Sequence, residues 1–313
     1  MPVYCFICSA ARSGSTLLDR LLGAHSRAAS LGEISFLNKA ISLDQVCSCG
    51  KKLSHCDTWN AVLDRIMDEK SQNLRNEPYA MQFWDARASV LVDRKFQTQS
   101  YVLRTKLRTL QCDIRFKQQT DNKLRLPLPE KLKNNLENSL YLYQLLTGMW
   151  AKDILIDSSK NVHKALAVHE RNPENTRIVY LTRDGRGVYN SRRSSGFTAQ
   201  QSASAWYKYN RRASSYLPSN LPKEHLLNVK YEDLVSNPTT TLSLICEFLG
   251  ITFEVDMLHF TNTEHHLVNG NDMRLKQSHE LTLDERWKTD LSTKDLATFE
   301  QLTNSMNSKL GYI

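Results

Sequence analysis

Residues 3–18 read Val-Tyr-Cys-Phe-Ile-Cys-Ser-Ala-Ala-Arg-Ser-Gly-Ser-Thr-Leu-Leu. An apolar run, a turn of small residues and an apolar-periodic segment predict a buried strand over 3–8, a loop, and a helix over 16–24. Small residues and a glycine let main-chain amides face inward at a helix N-terminus. Such an end attracts an anion through its partial charge and its free donors. A tight strand-to-helix turn without a ligand is the structural alternative.

A nucleotide-binding loop of the form G-x-x-x-x-G-K-[ST] carries a lysine for the outer phosphates and a hydroxyl for Mg²⁺. Aligned on Gly14, this chain has Ser9 at the first glycine position and Ser15 at the lysine position. Thr16 keeps the hydroxyl, and the cation has moved back to Arg12. Without the lysine, the loop suits a single 5′-phosphate bearing one further anionic group.

Further apolar runs occur at 151–157, 176–182 and 226–231, separated by helical stretches. This alternation predicts an α/β fold, a P-loop-like parallel sheet flanked by helices. Each run ends in polar residues: Arg12-Ser13, Asp157-Ser158-Ser159-Lys160, Arg183-Asp184-Gly185-Arg186 and Tyr231-Glu232-Asp233. Ligands in such sheets bind beyond the carboxyl ends of the strands, so the four clusters are expected along one edge. Strand signals fade between 60 and 150, where periodic stretches such as Leu132 to Trp150 predict helices. A single domain over 1–313 is expected, with 1–59 and 151–313 as the α/β core and 60–150 as a helical insert on the acceptor side.

A formal charge of +8 favours anionic partners, with nucleic acid, anionic small molecules and acidic polymers all open on charge alone. No secretory signal or membrane span is read from the sequence, so the seven cysteines are expected as reduced thiols and the protein as cytoplasmic.

The run ending at Thr182 places Arg183 at a strand end and Ser191 about two helical turns beyond it. Arg183 can fork onto a phosphate bidentately, or it can be a surface charge beside a helix cap. With the first loop, these residues resemble the donor site of the sulfotransferase family, which uses 3′-phosphoadenosine 5′-phosphosulfate (PAPS). The resemblance matches Arg12, Ser13, Gly14, Ser15 and Thr16 to the family's 5′-phosphosulfate loop, and Arg183 and Ser191 to its 3′-phosphate pair. It extends to Tyr231-Glu232-Asp233-Leu234 with Asn237-Pro238, and to Phe248-Leu249-Gly250. It covers 3–35 and 150–290 and fades between 60 and 150. It also accounts for the missing lysine. A sulfuryl group carries one negative charge fewer than a phosphoryl group, and the family works without a metal.

The same resemblance implies Glu33, in Leu31-Gly32-Glu33, as the catalytic base, with a helix-capping glutamate as the structural alternative. It implies Lys160 as a charge beside the departing oxygen, with Ser158 and Ser159 as holders of sulfate oxygens. Arg274, in Gly270-Asn271-Asp272-Met273-Arg274, is implied as a second 3′-phosphate contact with Tyr231 beside it, whereas Trp287 reads as core. Cys47, Cys49 and Cys56 with nearby His55 invite a Cys₃His reading, but the C-x-C spacing is shorter than a usual zinc pair. The resemblance makes that segment a structural loop near the acceptor mouth, and no metal site is expected. The basic stretch 94–133 reads as a solvated helix face or a contact for an acidic acceptor.

The expected activity is transfer of a sulfuryl group from PAPS, with no metal required, to a hydroxyl-bearing acceptor: a glycan, a lipid, a phenol or a tyrosine. Nucleic acid is not expected as a partner. A degenerate P-loop kinase and a non-catalytic polyanion-binding protein are the rivals.

Overall fold

The computed structural model describes residues 2–84, 99–117, 127–275 and 281–312. In chain order it runs β1 (Val3–Ser9), α1 (Ser15–Gly23), β2 (Ala28–Ser30), α2 (Leu37–Ser42), α3 (Asp57–Lys70), α4 (Gln99–Lys117) and α5 (Glu130–Trp150). It continues β3 (Ile154–Asp157), α6 (Val162–Arg171), β4 (Thr176–Thr182), α7 (Gly185–Arg193), α8 (Ala199–Asn220), β5 (Leu226–Lys230), α9 (Tyr231–Ser236), α10 (Pro238–Leu249), α11 (Trp287–Asp290) and α12 (Thr293–Thr303). The five strands form one parallel sheet in the order β2-β3-β1-β4-β5.

The central strand explains the layers. Alternate residues of a strand face opposite sides, and β1 is apolar on both. Cys5 and Ile7 pack with Leu17, Leu18 and Leu21 of α1 and with Leu242 and Ile245 of α10. Tyr4, Phe6 and Cys8 pack with Tyr143 and Leu146 of α5, Leu166 of α6 and Leu217 of α8. Helices therefore cover both faces, and the helices within 60–150 share the second core with the sheet. Each fully buried leucine contributes on the order of 1.5–3 kcal/mol, and that burial sets the register.

Because β2 and β3 lie on one side of β1 and β4 and β5 on the other, the chain reverses direction of winding at β1. In sheets wound this way ligands bind at such a point, beyond the carboxyl ends of the strands. All four predicted polar clusters follow strand ends on this edge. The short β2 was not expected from the sequence. All seven cysteines are free thiols. Among the described residues, no helix is long and apolar enough to cross a membrane.

Candidate active site

The loop after β1 turns by placing Arg12 and Gly14 in the left-handed region, with φ of 74° and 88°. Gly14 is the N-cap of α1, which has neither a side-chain cap nor an acidic residue in its first turn. Its amides are thus left to whatever binds there. The Ser13 hydroxyl is buried with no protein partner, as is that of Ser9. A Cβ on Gly14 would lie 2.5 Å from Cδ2 of Tyr231, so the tyrosine ring presses directly on the turn.

Arg183 stands at the end of β4, its guanidinium 4.4 Å from the centre of the Tyr231 ring. Its Nη1 donates to the carbonyl of Arg12 at 3.0 Å. Its Nη2 donates to the carbonyl of Asp284 at 2.9 Å and lies 3.1 Å from that residue's carboxylate. Arg286 and, after it, Arg183 hold the Asp284 carboxyl well below the usual carboxylate range, against the opposing effect of burial. The Arg12 guanidinium donates to Ser195 Oγ at 3.2 Å, and that hydroxyl donates to the carbonyl of Ser191 at 2.9 Å. A chain of contacts through Arg12 therefore joins Arg183 to the turn that carries Ser191.

Arg192 belongs to this cluster and was not singled out from the sequence. Burial and the neighbouring Arg12 charge both lower its pKa, and its Nε is buried without a partner. Two neighbouring guanidiniums that repel each other make a site suited to an anion. Trp287 is half-buried beneath the Arg186 guanidinium, 4.1 Å away, and not in the core as expected.

Lys160 follows β3 and is buried, in a left-handed conformation with φ 60°. Its Nζ forms an ion pair with Glu33 Oε1. Glu33 precedes the short 3₁₀ turn Ile34–Phe36 but makes no capping hydrogen bond to it, which removes the capping alternative. Its second oxygen accepts from Asn269 Nδ2 at 3.3 Å. The main chain secures the same contact: Gly32 bridges Val268, and the Glu33 amide donates to the Val268 carbonyl at 3.0 Å. Two residues beyond Val268, a Cβ on Gly270 would lie 3.9 Å from Thr16 Oγ1. The 268–270 segment thus lies between the loop after β1 and Glu33.

Ser158 and Ser159 are committed elsewhere. Ser158 Oγ donates to Asp19 at 2.7 Å, and Ser159 Oγ accepts from the Ser35 amide at 3.0 Å. Behind them, Asp157 accepts from Lys164 Nζ at 2.8 Å, Tyr143 OH at 2.5 Å and the Ser159 amide at 2.7 Å. Burial pushes the Asp157 carboxyl up, but Lys164 and these donors outweigh it and hold it below its ordinary value. Asp19, fully buried on α1, has no such cation in contact, and burial pushes its pKa up to about 7. Arg274 donates to the carbonyls of Gly270 at 3.3 Å and Val46 at 3.1 Å, which ties it to the cysteine loop.

Of the predicted residues, the structure brings Arg12, Ser13, Gly14, Ser15, Thr16, Arg183, Ser191 and Tyr231 around one loop, with Glu33 and Lys160 paired beside it. The basic stretch falls partly outside the described residues. Where it is described, on α4, Arg115 pairs with Glu170 at 2.6 Å.

The sulfotransferase family profile matches residues 5–255. The chain belongs to the sulfotransferase family. Two solved structures share its fold at low identity. The sulfotransferase domain from the Synechococcus PCC 7002 olefin synthase is 18% identical, with 97% of this chain and 94% of that one covered and a TM-score of 0.54. The sulfotransferase domain from the curacin biosynthetic pathway is 19% identical, with 100% and 99% covered and a TM-score of 0.56. Among curated proteins, none matches this sequence.

Proposed function

We propose that this sulfotransferase transfers a sulfuryl group from PAPS to a hydroxyl-bearing acceptor such as a glycan, lipid, phenol or tyrosine. The observation that carries the reading is the 268–270 segment, where Asn269 and the Val268 carbonyl hold Glu33 and Gly270 lies alongside the loop after β1, a Cβ there falling 3.9 Å from Thr16 Oγ1. A proton acceptor therefore stands beside an anion site.

The residues present fit the donor. Uncapped amides, the unpartnered Ser13 hydroxyl and Arg12 suit a 5′-phosphosulfate, with Ser15 and Thr16 opening the helix. Arg183 and Ser191, with Tyr231 as the wall behind them, suit the 3′-phosphate. Bound there, PAPS supplies an activated sulfuryl group. Glu33 takes the acceptor's proton: a carboxylate offers about four lone-pair positions, and Lys160 and Asn269 occupy one each. Lys160 places positive charge next to the same centre, where negative charge grows on a departing oxygen. The helices of 60–150 are our proposed acceptor wall, since Tyr143 of α5 reaches Asp157, three residues before Lys160.

The test is release of adenosine 3′,5′-bisphosphate from labelled PAPS in the presence of pooled glycans, lipids, phenols and tyrosine peptides. Acceptor-dependent release supports the reading. Turnover of ATP with Mg²⁺ and none of PAPS would instead support a kinase.

A further inference from the structure

Cys47, Cys49 and Cys56 lie within ten residues of one another, on the loop before α3. The fourth member of their cluster comes from far along the chain. It is His266 and not the adjacent His55, which is bonded to the Ser54 hydroxyl at 2.8 Å. The three sulfurs and a ring nitrogen of His266 all lie within 4.8 Å of one another. Cys49 Sγ is 3.7 Å from Cys56 Sγ, Cys56 Sγ is 3.3 Å from His266 Nδ1, and Cys47 Sγ is 3.8 Å from the same nitrogen.

From this geometry we infer that Cys47, Cys49, Cys56 and His266 form a structural zinc site. A tetrahedral Zn²⁺ with bonds of about 2.3 Å to sulfur and about 2.0 Å to nitrogen has ligand–ligand edges of roughly 3.5–3.8 Å. The three measured separations cluster around that range. A disulfide does not account for them, because 3.7 Å is far from the roughly 2.05 Å of an S–S bond. Three thiolates and one imidazole select zinc over harder cations, and four protein ligands leave no open position for catalysis.

The surroundings are those of a metal site. His266 Nε2 lies 3.0 Å from Thr58 Oγ1, so the ring can donate there and turn the Nδ1 lone pair on the ion. The loop is also stitched to the histidine's segment. Ser48 Oγ donates to the His265 carbonyl at 2.5 Å and accepts from the Leu267 amide at 2.8 Å, and Trp59 Nε1 donates to the His266 carbonyl at 2.8 Å. Three residues beyond His266 is Asn269, the partner of Glu33. The ion's role is therefore to pin the 265–270 segment against the loop. Binding releases the three thiol protons.

The test reads metal content and does not depend on the sulfuryl-transfer reading. Full-length untagged protein, purified without chelator, should hold one zinc per chain by elemental analysis. After exchange for Co²⁺ it should show the visible bands of a tetrahedral site and thiolate-to-cobalt charge transfer in the near ultraviolet. His266→Cys keeps a four-ligand set, so it should retain one metal and gain charge-transfer intensity. Cys56→Ser should lower occupancy. Should that variant fail to fold, alkylation of the wild type decides: the three thiols should be protected until zinc is chelated. Zinc far below one per chain with no tetrahedral cobalt spectrum overturns the site. So does a Cys49–Cys56 disulfide in the mass spectrum, or a cobalt spectrum that His266→Cys leaves unchanged.

Discussion

Arg183 donates to the main-chain carbonyl of Arg12, 171 residues away in sequence, across 3.0 Å. The strand-end arginine thereby supports the left-handed turn of the anion loop and does not merely stand near it. The contact uses the backbone of Arg12, while its guanidinium reaches the other way, donating to Ser195 Oγ at 3.2 Å.

The two arginines should therefore behave differently when removed. A lost charge-assisted hydrogen bond costs on the order of 1.5–3 kcal/mol, roughly tenfold or more in affinity. Arg12→Ala should weaken adenosine 3′,5′-bisphosphate and AMP alike, because the Arg12 carbonyl and Arg183 remain. Arg183→Ala should shrink the preference for the 3′-phosphate. Calorimetric titration with both nucleotides decides, and a reversed pattern would mean the nucleotide lies the other way round.

Glu33→Gln keeps the shape of the side chain and removes its affinity for a proton. Turnover should fall by about a hundred- to ten-thousand-fold while nucleotide binding persists. Near-normal turnover with intact binding would remove Glu33 from the chemistry.

Gly14→Ala combines two costs. A non-glycine residue at positive φ loses about 1–2 kcal/mol, and its Cβ would meet the Tyr231 ring at 2.5 Å. Gly196 has φ 84° but nothing within 4 Å of a Cβ, so Gly196→Ala isolates the backbone cost. Gly14→Ala should lower stability further than Gly196→Ala and alone weaken nucleotide binding. Equal effects in thermal melts and in binding would show that the tyrosine contact is unimportant.

Asp19 should give stability a specific pH dependence. Its folded pKa of about 7 lies above the ordinary value of about 3.9. Its stabilising contribution is then complete below pH ~4 and is lost as pH rises towards 7. Asp19→Asn removes that titration while keeping an acceptor for the Ser158 hydroxyl. The variant's melting temperature relative to wild type should therefore climb between pH 5 and pH 8, by on the order of 5 °C. A difference that does not change with pH would show that Asp19 ionises normally.

Much of this architecture is legible in the sequence because parallel strands buried on both faces read as unbroken apolar runs. β2 escapes because Ala28-Ala29-Ser30 has no branched or aromatic residue, and its place at the sheet edge is set by pairing with β3. The loop around Gly14 is readable because its geometry is local. His266, Asn269 and Arg192 are not, because each acquires its meaning from a neighbour that only the fold supplies. His55 illustrates this directly, since proximity in sequence invited a place for it beside the cysteines, whereas the fold sets His266 there. For Arg274 a motif match gives a position along the chain, while its contacts with the Val46 and Gly270 carbonyls come from the fold.

Glu33 and Asn269 are separated by 236 residues. A ribosome making this protein from its N-terminus completes every strand of the sheet, through Lys230, before it reaches the segment that clasps Glu33. The nascent chain can thus bury its sheet early while Glu33 has Lys160 but lacks Asn269, and while Arg183 still lacks Asp284. Completion of the candidate site in this way follows synthesis of the whole sheet.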